Sequence, residues 1–436
     1  MAKYQAYAEY KDSGVGFLGE IPEHWIVSKV KYLAPFQVGW TPPTKNDSNF
    51  IGDNLWVNIS DLKGKVINNT VKQISDKAAL EASMDITPKG SLMYSFKLSV
   101  GTVSFAGCDM YTNEAIASFL HSAKLPLSYL YYALPKFVIE NASTNIYGAN
   151  ILNQELIRNA LLVKIPYIEA EKIANFLDHE TTKIDHLIEK QQQLIELLKE
   201  KRQAVISYLV NVKEGEASIK LKYAVEILAG YSFSSTGFKT DSNDGVALLR
   251  GINVGVGNIK WDECVWWSKS DTEGLERYIL KKGDLVFGMD RPWISTGARV
   301  AEIQEYDLPS YLVQRVARVR ALRGFYQPYI KLILGSKEFK SFIESDLTGV
   351  SVPHISTDQI ISFPIRKLYF EQQVKQTDQA IESINKIDFL IVKAESAIQL
   401  MQERRTALIS AVVTGKIDVR NWQAPTIAEA DTELSA

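Results

Sequence analysis

The chain has 436 residues, 46% apolar, 23% charged and 10% aromatic, a balance that supports several buried cores and excludes a single small module or a wholly disordered chain. The formal net charge is −2, so no global basic character points to a nucleic-acid partner. Two cysteines, Cys108 and Cys264, stand far apart without Cys or His neighbours at metal-ligand spacing, which argues against a disulfide framework and a structural zinc site.

Residues 1–27 form an opening segment that lacks the apolar stretch of a signal peptide, and no run in the chain approaches the ~20 apolar residues that cross a bilayer. A soluble, cytoplasmic protein is expected. Residues 28–166 follow, with short β-rich runs over 55–59 and 101–105 punctuated by Gly, Pro, Asn, Asp and Ser, and a helical patch over 128–137. Residues 167–213 contain almost no Gly or Pro and keep an apolar heptad rhythm, which predicts a long helix. Residues 218–368 return to the first pattern, with strands expected over 285–288 and 312–319 and a helical patch over 326–334. A second long helix is expected within 369–420, stopped by Gly415 after Thr414, and 421–436 reads as a disordered tail.

The recurrence is a true internal repeat with a period near 200 residues. Lys31-Tyr32-Leu33 returns as Lys222-Tyr223-Ala224, and Pro88-Lys89-Gly90-Ser91-Leu92 as Lys281-Lys282-Gly283-Asp284-Leu285. Lys183-Ile184-Asp185 returns as Lys386-Ile387-Asp388, and Glu200-Lys201-Arg202 as Glu403-Arg404-Arg405. The fold class is therefore mixed α/β, with two similar globular domains alternating with two long helices.

In the first helix one heptad row holds Leu177, Ile184, Leu198 and Val205, and an interleaved row holds Leu187 and Leu194. In the second, Ala380, Ile387, Ala394, Met401 and Leu408 alternate with Leu390 and Ala397. The Leu-rich seam facing the Ala-rich one favours pairing of the two helices with each other. A pseudo-twofold relation makes that pair an antiparallel coiled coil of roughly 65–70 Å. A rigid bar carrying two similar heads could read two separated half-sites on duplex DNA, or it could be a protein-binding scaffold with no DNA role.

Charge by segment permits the first reading without requiring it. Residues 28–165 carry 13 Lys/Arg against 10 Asp/Glu, residues 218–368 carry 20 against 17, and the remainder is net acidic.

Catalytic machinery is missing. Thr41-Pro42-Pro43-Thr44 lacks the Asp, Asn or Ser first residue and the aromatic of a loop that holds a flipped base, and reads as a plain Pro-rich loop. No phosphate-binding Gly-x-x-x-x-Gly-Lys-Ser/Thr is present, and Gly251, Gly255 and Gly257 suit a turn better than a phosphate cradle. His179 and His186 lie too far apart along one helix for a zinc pair, so no metal is expected.

The segment from Tyr10 to Trp25, Tyr-Lys-Asp-Ser-Gly-Val-Gly-Phe-Leu-Gly-Glu-Ile-Pro-Glu-His-Trp, resembles the opening signature of type I restriction-modification specificity subunits. The segment from Glu403 to Asp418 resembles their closing one. With the repeated plan, the resemblance spans residues 10 to 420. It implies that 28–166 and 218–368 are target-recognition domains, each reading half of a bipartite DNA site, and that the helices form a spacer binding two methyltransferase subunits. Restriction subunits would then join. S-adenosylmethionine, ATP and Mg²⁺ would belong to the partners, leaving this chain without a cofactor and without catalysis of its own. The rival within the same reading is a related system whose methyltransferase and nuclease are fused. Many relatives repeat both signatures at mid-chain. Here Asn211-Val212-Lys213-Glu214-Gly215 leads directly to Leu221-Lys222-Tyr223, so the central junction is shorter.

DNA contact calls for Arg and Lys on guanine, Asn and Gln on adenine, and hydroxyls or Lys on phosphate, placed on loops after strands. In the first head these are Asn58, Ser60, Lys63, Lys97, Asn145, Tyr147 and Asn150, with Trp56 equally suited to the core. In the second they are Arg250, Asn253, Arg291, Trp293, Thr348, Ser351 and His354. Arg315, Arg318 and Arg320 alternate along one expected strand, and the repeat alignment sets Asn58 against Arg250.

Overall fold

A computed structural model describes residues 4–144, 148, 150–240, 245–271, 273–345 and 354–423. The chain divides into a first unit of residues 1–190 with 397–436, and a second of residues 191–396. Of the expected tail, residues 424–436 lie outside the described residues. Among the described residues no helix is long and apolar enough to cross a membrane.

In the first unit, a five-stranded sheet runs in the order Phe36–Val38, Ile116–Phe119, Leu92–Ser95, Val103–Ala106, Val66–Ile67. All its pairs are antiparallel except the last. Alternation along the central strands sorts their side chains onto two faces. Leu92, Tyr94, Ala117 and Phe119 join the core formed with Tyr129, Leu130, Ala133 and Phe137 of helix Leu127–Val138. Met93 and Ile116 meet Val57, Ile67 and Met110 on the other face. A second sheet sets Asn54–Val57 parallel to Tyr111–Thr112 and antiparallel to Lys72–Ile74.

The second unit builds the same head. Its sheet order is Val225–Ala229, Val316–Ala321, Leu285–Gly288, Val300–Glu302, all antiparallel. Leu285, Phe287, Ala317 and Val319 pack with Tyr329, Ile330 and Ile333 of helix Gln327–Leu334, while Val286 and Val316 pack with Leu249 and Leu312. Gly245–Leu249 lies parallel to Ser310–Leu312 and antiparallel to Trp266–Ser268. The single strand expected over 312–319 is two, because Arg315 adopts φ +69° and turns the chain from one sheet into the other. The glycine after each sheet's edge strand admits no side chain: a Cβ on Gly39 would meet the Thr112 carbonyl oxygen at 1.8 Å, and one on Gly230 that of Val313 at 2.1 Å.

The long helices are Tyr167–Val210 and Phe370–Val413. In the first unit Arg405 pairs with Asp185 at 2.8 Å, and Lys172 donates to the Arg420 carbonyl just past the second helix. Partners that rise in one helix as they fall in the other make the pairing antiparallel. In the second unit Arg202 pairs with Asp388 at 2.8 Å while Arg366, beside Gln376, bonds the Leu209 carbonyl, giving the same sense. The matched tripeptides of the sequence repeat thus supply the two partners of each ion pair.

In one heptad row Leu177, Ile184, Leu198, Ala380, Ile387, Ala394 and Leu408 are buried, and Val205 and Met401 partly so. The interleaved row is corrected by one residue. Leu187, Leu194 and Leu390 are 50%, 43% and 47% exposed, and Ala397 is half-buried. The seam runs instead through Thr181, Ile188, Ile195, Arg202 and Leu209, and through Ile384, Ile391, Ile398, Arg405 and Val412. A step of four residues from Leu177 carries the row, and one residue of error turns a side chain ~100° around the helix. Polar Thr181 and Arg202 on the seam concealed it.

The units are closed differently. In the first, Tyr10–Asp12 and Glu20–Pro22 form a hairpin against the end of the second helix, where Gly415 (φ +76°) lets the Lys416 N–H reach the Ala411 carbonyl. Tyr10 Oη donates to the Gly415 carbonyl at 3.0 Å, and Lys416 Nζ to that of Glu20 at 2.6 Å. Beneath them, buried Glu169 accepts from Tyr7 Oη at 2.7 Å, Trp25 Nε1 at 2.9 Å and His24 Nε2 at 2.8 Å. In the second unit the corresponding helix end is held by Arg366, which forks onto Glu216 with both bonds at 2.7 Å and donates to the Leu209 carbonyl.

Candidate nucleic-acid interface

In both heads the parallel strand pair ends in a short 3₁₀ turn, and in the second head the residue before that turn shares a cavity with the loop after the central strand. In the second head this turn is Gly251–Asn253, preceded by Arg250. The Arg250 N–H donates to Asn253 Oδ1 at 3.0 Å, and Asn253 Nδ2 to the Lys260 carbonyl at 2.8 Å. Asn253 is therefore corrected: with 1% exposure and both ends of its amide engaged, it sets the turn and has nothing to offer a ligand. Arg250 donates through Nη2 to the Glu263 carbonyl.

An open concavity of about 870 Å³ lies here, lined by Arg250, Lys260, Arg291, Arg299 and Arg315, by Asp290 as the one carboxylate among the described residues, and by Phe233 and Phe238. Arg299 is a strut. Its Nε donates to the Val254 carbonyl at 2.9 Å and its Nη1 to that of Asp290 at 2.8 Å, and burial pulls its pKa below the usual arginine value against the pull of Asp290. Asp290 Oδ1 takes His354 Nδ1 at 2.6 Å and Arg315 Nη1 at 3.4 Å, fixing the loop while leaving Arg291 exposed. Among the described lining residues cations outnumber carboxylates five to one, a charge balance suited to an anionic ligand.

Trp293 is also corrected. Its ring packs against Phe287 and Phe339 beside the main core, so it supports the loop from beneath. Arg318 and Arg320 are internal ties: Arg318 is buried on Glu226 and the Arg277 carbonyl, and Arg320 forks onto Asp284. Thr348 and Ser351 lie outside the described residues.

The first head repeats the turn with different chemistry. The Asn58 N–H donates to Asp61 Oδ2 at 2.8 Å, as Arg250 does to Asn253, and Asn58 Oδ1 accepts from Asn113 at 3.2 Å. The sequence alignment of Asn58 with Arg250 thus corresponds to equivalent places. Lys97 lies 3.8 Å from Glu114, whose other partner is Thr41. Burial raises the Glu114 pKa, but the Thr41 hydroxyl, its own backbone N–H and Lys97 outweigh it and hold the carboxyl below the usual value. Lys97 occupies the place of Asp290, and Glu114 lies beside the place of Arg315, so the ion pair that pins this loop has opposite polarity in the two heads. Ser60, Lys63 and Asn150 are exposed, the last on the short strand Asn150–Ile151. Trp56 is core, buried with Ile74, Ala78 and Ala79. Asn145 and Tyr147 lie outside the described residues.

Sequence reasoning missed Lys260, Arg299, Glu114 and Thr41 as parts of these rims. No pattern in the sequence singles them out, because they reach the rims through contacts between residues distant in the chain.

Residues 22–197 match the family model described as "Type I restriction modification DNA specificity domain". The chain is similar to the specificity subunit of type I restriction enzyme EcoAI from Escherichia coli, 31% identical over 186 residues, covering 42% of this chain and 31% of that protein. It is likewise similar to the MjaVIII specificity subunit from Methanocaldococcus jannaschii, 26% identical over 216 residues, or 49% of each chain. The matched stretch thus spans about a third to a half of these relatives' lengths. A solved structure described as showing complex assembly and conformational transition of the type I R-M system shares the fold with a TM-score of 0.71 at 12% identity, over 91% of this chain and 99% of that one. The HsdS subunit from Thermoanaerobacter tengcongensis shares it with a TM-score of 0.57 at 13% identity, over 91% and 98%.

Proposed function

We propose that the chain belongs to the family of type I restriction-modification specificity subunits, to which its matched stretch is similar, and that it is the non-catalytic DNA-reading subunit of such a complex. Each head reads one part of a bipartite, gapped duplex site, and the paired helices set the gap and recruit two methyltransferase subunits. Restriction subunits join that assembly. S-adenosylmethionine, ATP and Mg²⁺ act in the partners.

One observation carries the reading: two heads of one fold present different side chains at equivalent places on the same rim, Asn58 for Arg250 and a Lys97–Glu114 pair for Asp290–Arg315. A scaffold has no use for matched loops of unlike hydrogen-bonding character, whereas two half-sites of unlike sequence require them. Recruitment of two identical partners is supported by the helices. The first unit exposes Leu187 and Leu400, and the second exposes Leu390 and Leu197 at the corresponding places of the repeat. Equivalent apolar pairs suit two copies of one partner.

Methylation-sensitive sequencing of the host genome with the gene present and deleted tests the reading. Loss of a gapped two-part methylated motif on deletion is expected; a methylome that does not change contradicts it. Removing seven residues from each helix at paired positions keeps heptad register and shortens the spacer by ~10 Å. The tolerated gap should shrink accordingly, and an unchanged gap counts against the spacer role.

A further inference from the structure

Two residues whose side chains have no hydrogen-bond or ion-pair partner among the described residues occupy the same place in the two heads. After the first head's central strand, the Phe96 N–H donates to the Ala115 carbonyl at 3.0 Å; after the second head's, the Met289 N–H donates to that of Arg315 at 2.9 Å. Two residues beyond each of these bonds the backbone turns left-handed at a non-glycine residue, Leu98 with φ +55° and Arg291 with φ +44°. Leu98 is 89% exposed. Arg291 is exposed at the lip of the arginine-lined concavity, and no partner among the described residues holds its guanidinium.

Glycine would satisfy such a backbone without strain, and a leucine in water gains nothing from burial. Both tips nevertheless carry long side chains. Each tip also adjoins the ion pair that pins its loop, Lys97–Glu114 in one head and Asp290–Arg315 in the other, so the side chain is held outward by a fixed base. Local strain at an exposed, over-determined position is a feature of binding sites. The chemistry of the two tips differs as the rims do, one apolar and one a forked donor.

We propose that Leu98 and Arg291 are specificity-determining tips, Leu98 seating against the 5-methyl group of a thymine and Arg291 donating to O6 and N7 of a guanine, each in its own half-site. This rests on the reading of the heads as DNA-reading domains. In a major groove these are the partners that an aliphatic side chain and a guanidinium recognise.

The test uses the complex with its methyltransferase subunits, carrying the wild-type chain, Leu98→Gly or Arg291→Gly, and duplexes of the methylated motif with single base analogues. Glycine suits the left-handed backbone, so folding is not threatened. Deoxyuridine in place of one thymidine should weaken wild-type binding roughly fourfold, by loss of one buried methyl. The same replacement should leave Leu98→Gly unaffected. 7-Deazaguanine at one position of the other half-site should weaken wild type about tenfold and leave Arg291→Gly unaffected. Variants that keep every wild-type analogue sensitivity, or that lose affinity equally for all sequences, overturn the proposal. Absence of any gapped motif in the wild type would instead overturn the underlying reading.

Discussion

Glu169 and Glu371 both lie in the first turn of a long helix, one residue apart in the register of the repeat, and one is buried beneath three donors while the other faces water. The first unit gathers the opening and closing segments of the chain around its glutamate, while the second ties its helix end with Arg366 and Glu216. Within the heads the comparison reverses: sheets, glycine contacts and 3₁₀ turns recur, and the differences lie on the rim. The repeat therefore keeps what packing requires, and departs from it where the chain is closed and on the rims proposed to read DNA.

The largest contrast is at those glutamates. Glu169→Ala leaves Tyr7, His24 and Trp25 without their acceptor in a buried place and should destabilise the first unit by about 3 kcal/mol. Glu371→Ala, on an exposed first turn, should change stability by less than about 0.5 kcal/mol. Denaturant titration followed by tryptophan fluorescence distinguishes them, and equal losses would dissolve the contrast. On the rims, Arg250→Ala should cost about 1–3 kcal/mol of discrimination at one base of one half-site, and Asn58→Ala a comparable amount in the other half. Binding to duplexes with single substitutions in either half checks this.

On the helices, aspartate at Leu187 and Leu400 should remove one methyltransferase copy, and aspartate at Leu390 and Leu197 the other. Native mass spectrometry reads the stoichiometry, and loss of both copies from either variant would break the equivalence. The smallest effects belong to the ion pairs Arg405–Asp185 and Arg202–Asp388, which are partly exposed. Double-mutant cycles should give about 0.2–1 kcal/mol for each, with the two values alike.

A pH difference sharpens the same comparison. Asp418, in the closing segment of the first unit, is pushed up by burial but held below the usual 3.8 by its bonds to Arg420 and by nearby His24. A depressed carboxyl contributes stability above its unfolded pKa and loses it as pH falls through the folded value. Acid below about pH 4 should therefore loosen the first unit's closure progressively, read as a falling unfolding midpoint. Asp418→Asn should flatten that dependence.

Much of this fold was legible. The repeat announced itself at Lys183-Ile184-Asp185 and Glu200-Lys201-Arg202 because those segments and their copies bond to one another, which restricts both at once. The second seam row was not legible, since Thr181 and Arg202 take places where an apolar residue was expected and Leu187 and Leu194 offer a false alternative. Of the rim, Arg250, Arg291 and Asn58 could be read from their loops. Lys97 with Glu114 and Asp290 with Arg315 could not, because strand pairing joins residues that are distant in the chain and of ordinary composition. Asn253 and Trp293 misled for the opposite reason: a polar or aromatic residue beside a turn serves the turn as readily as a ligand.

The central claim, that each head reads its own half of a gapped site, is tested most directly by methylome sequencing of strains carrying Asn58→Ala or Arg250→Ala in place of the wild-type gene. The account predicts that Asn58→Ala relaxes a base in one half of the motif and Arg250→Ala a base in the other, with the gap unchanged. Variants that alter the same half, or both halves together, would contradict it.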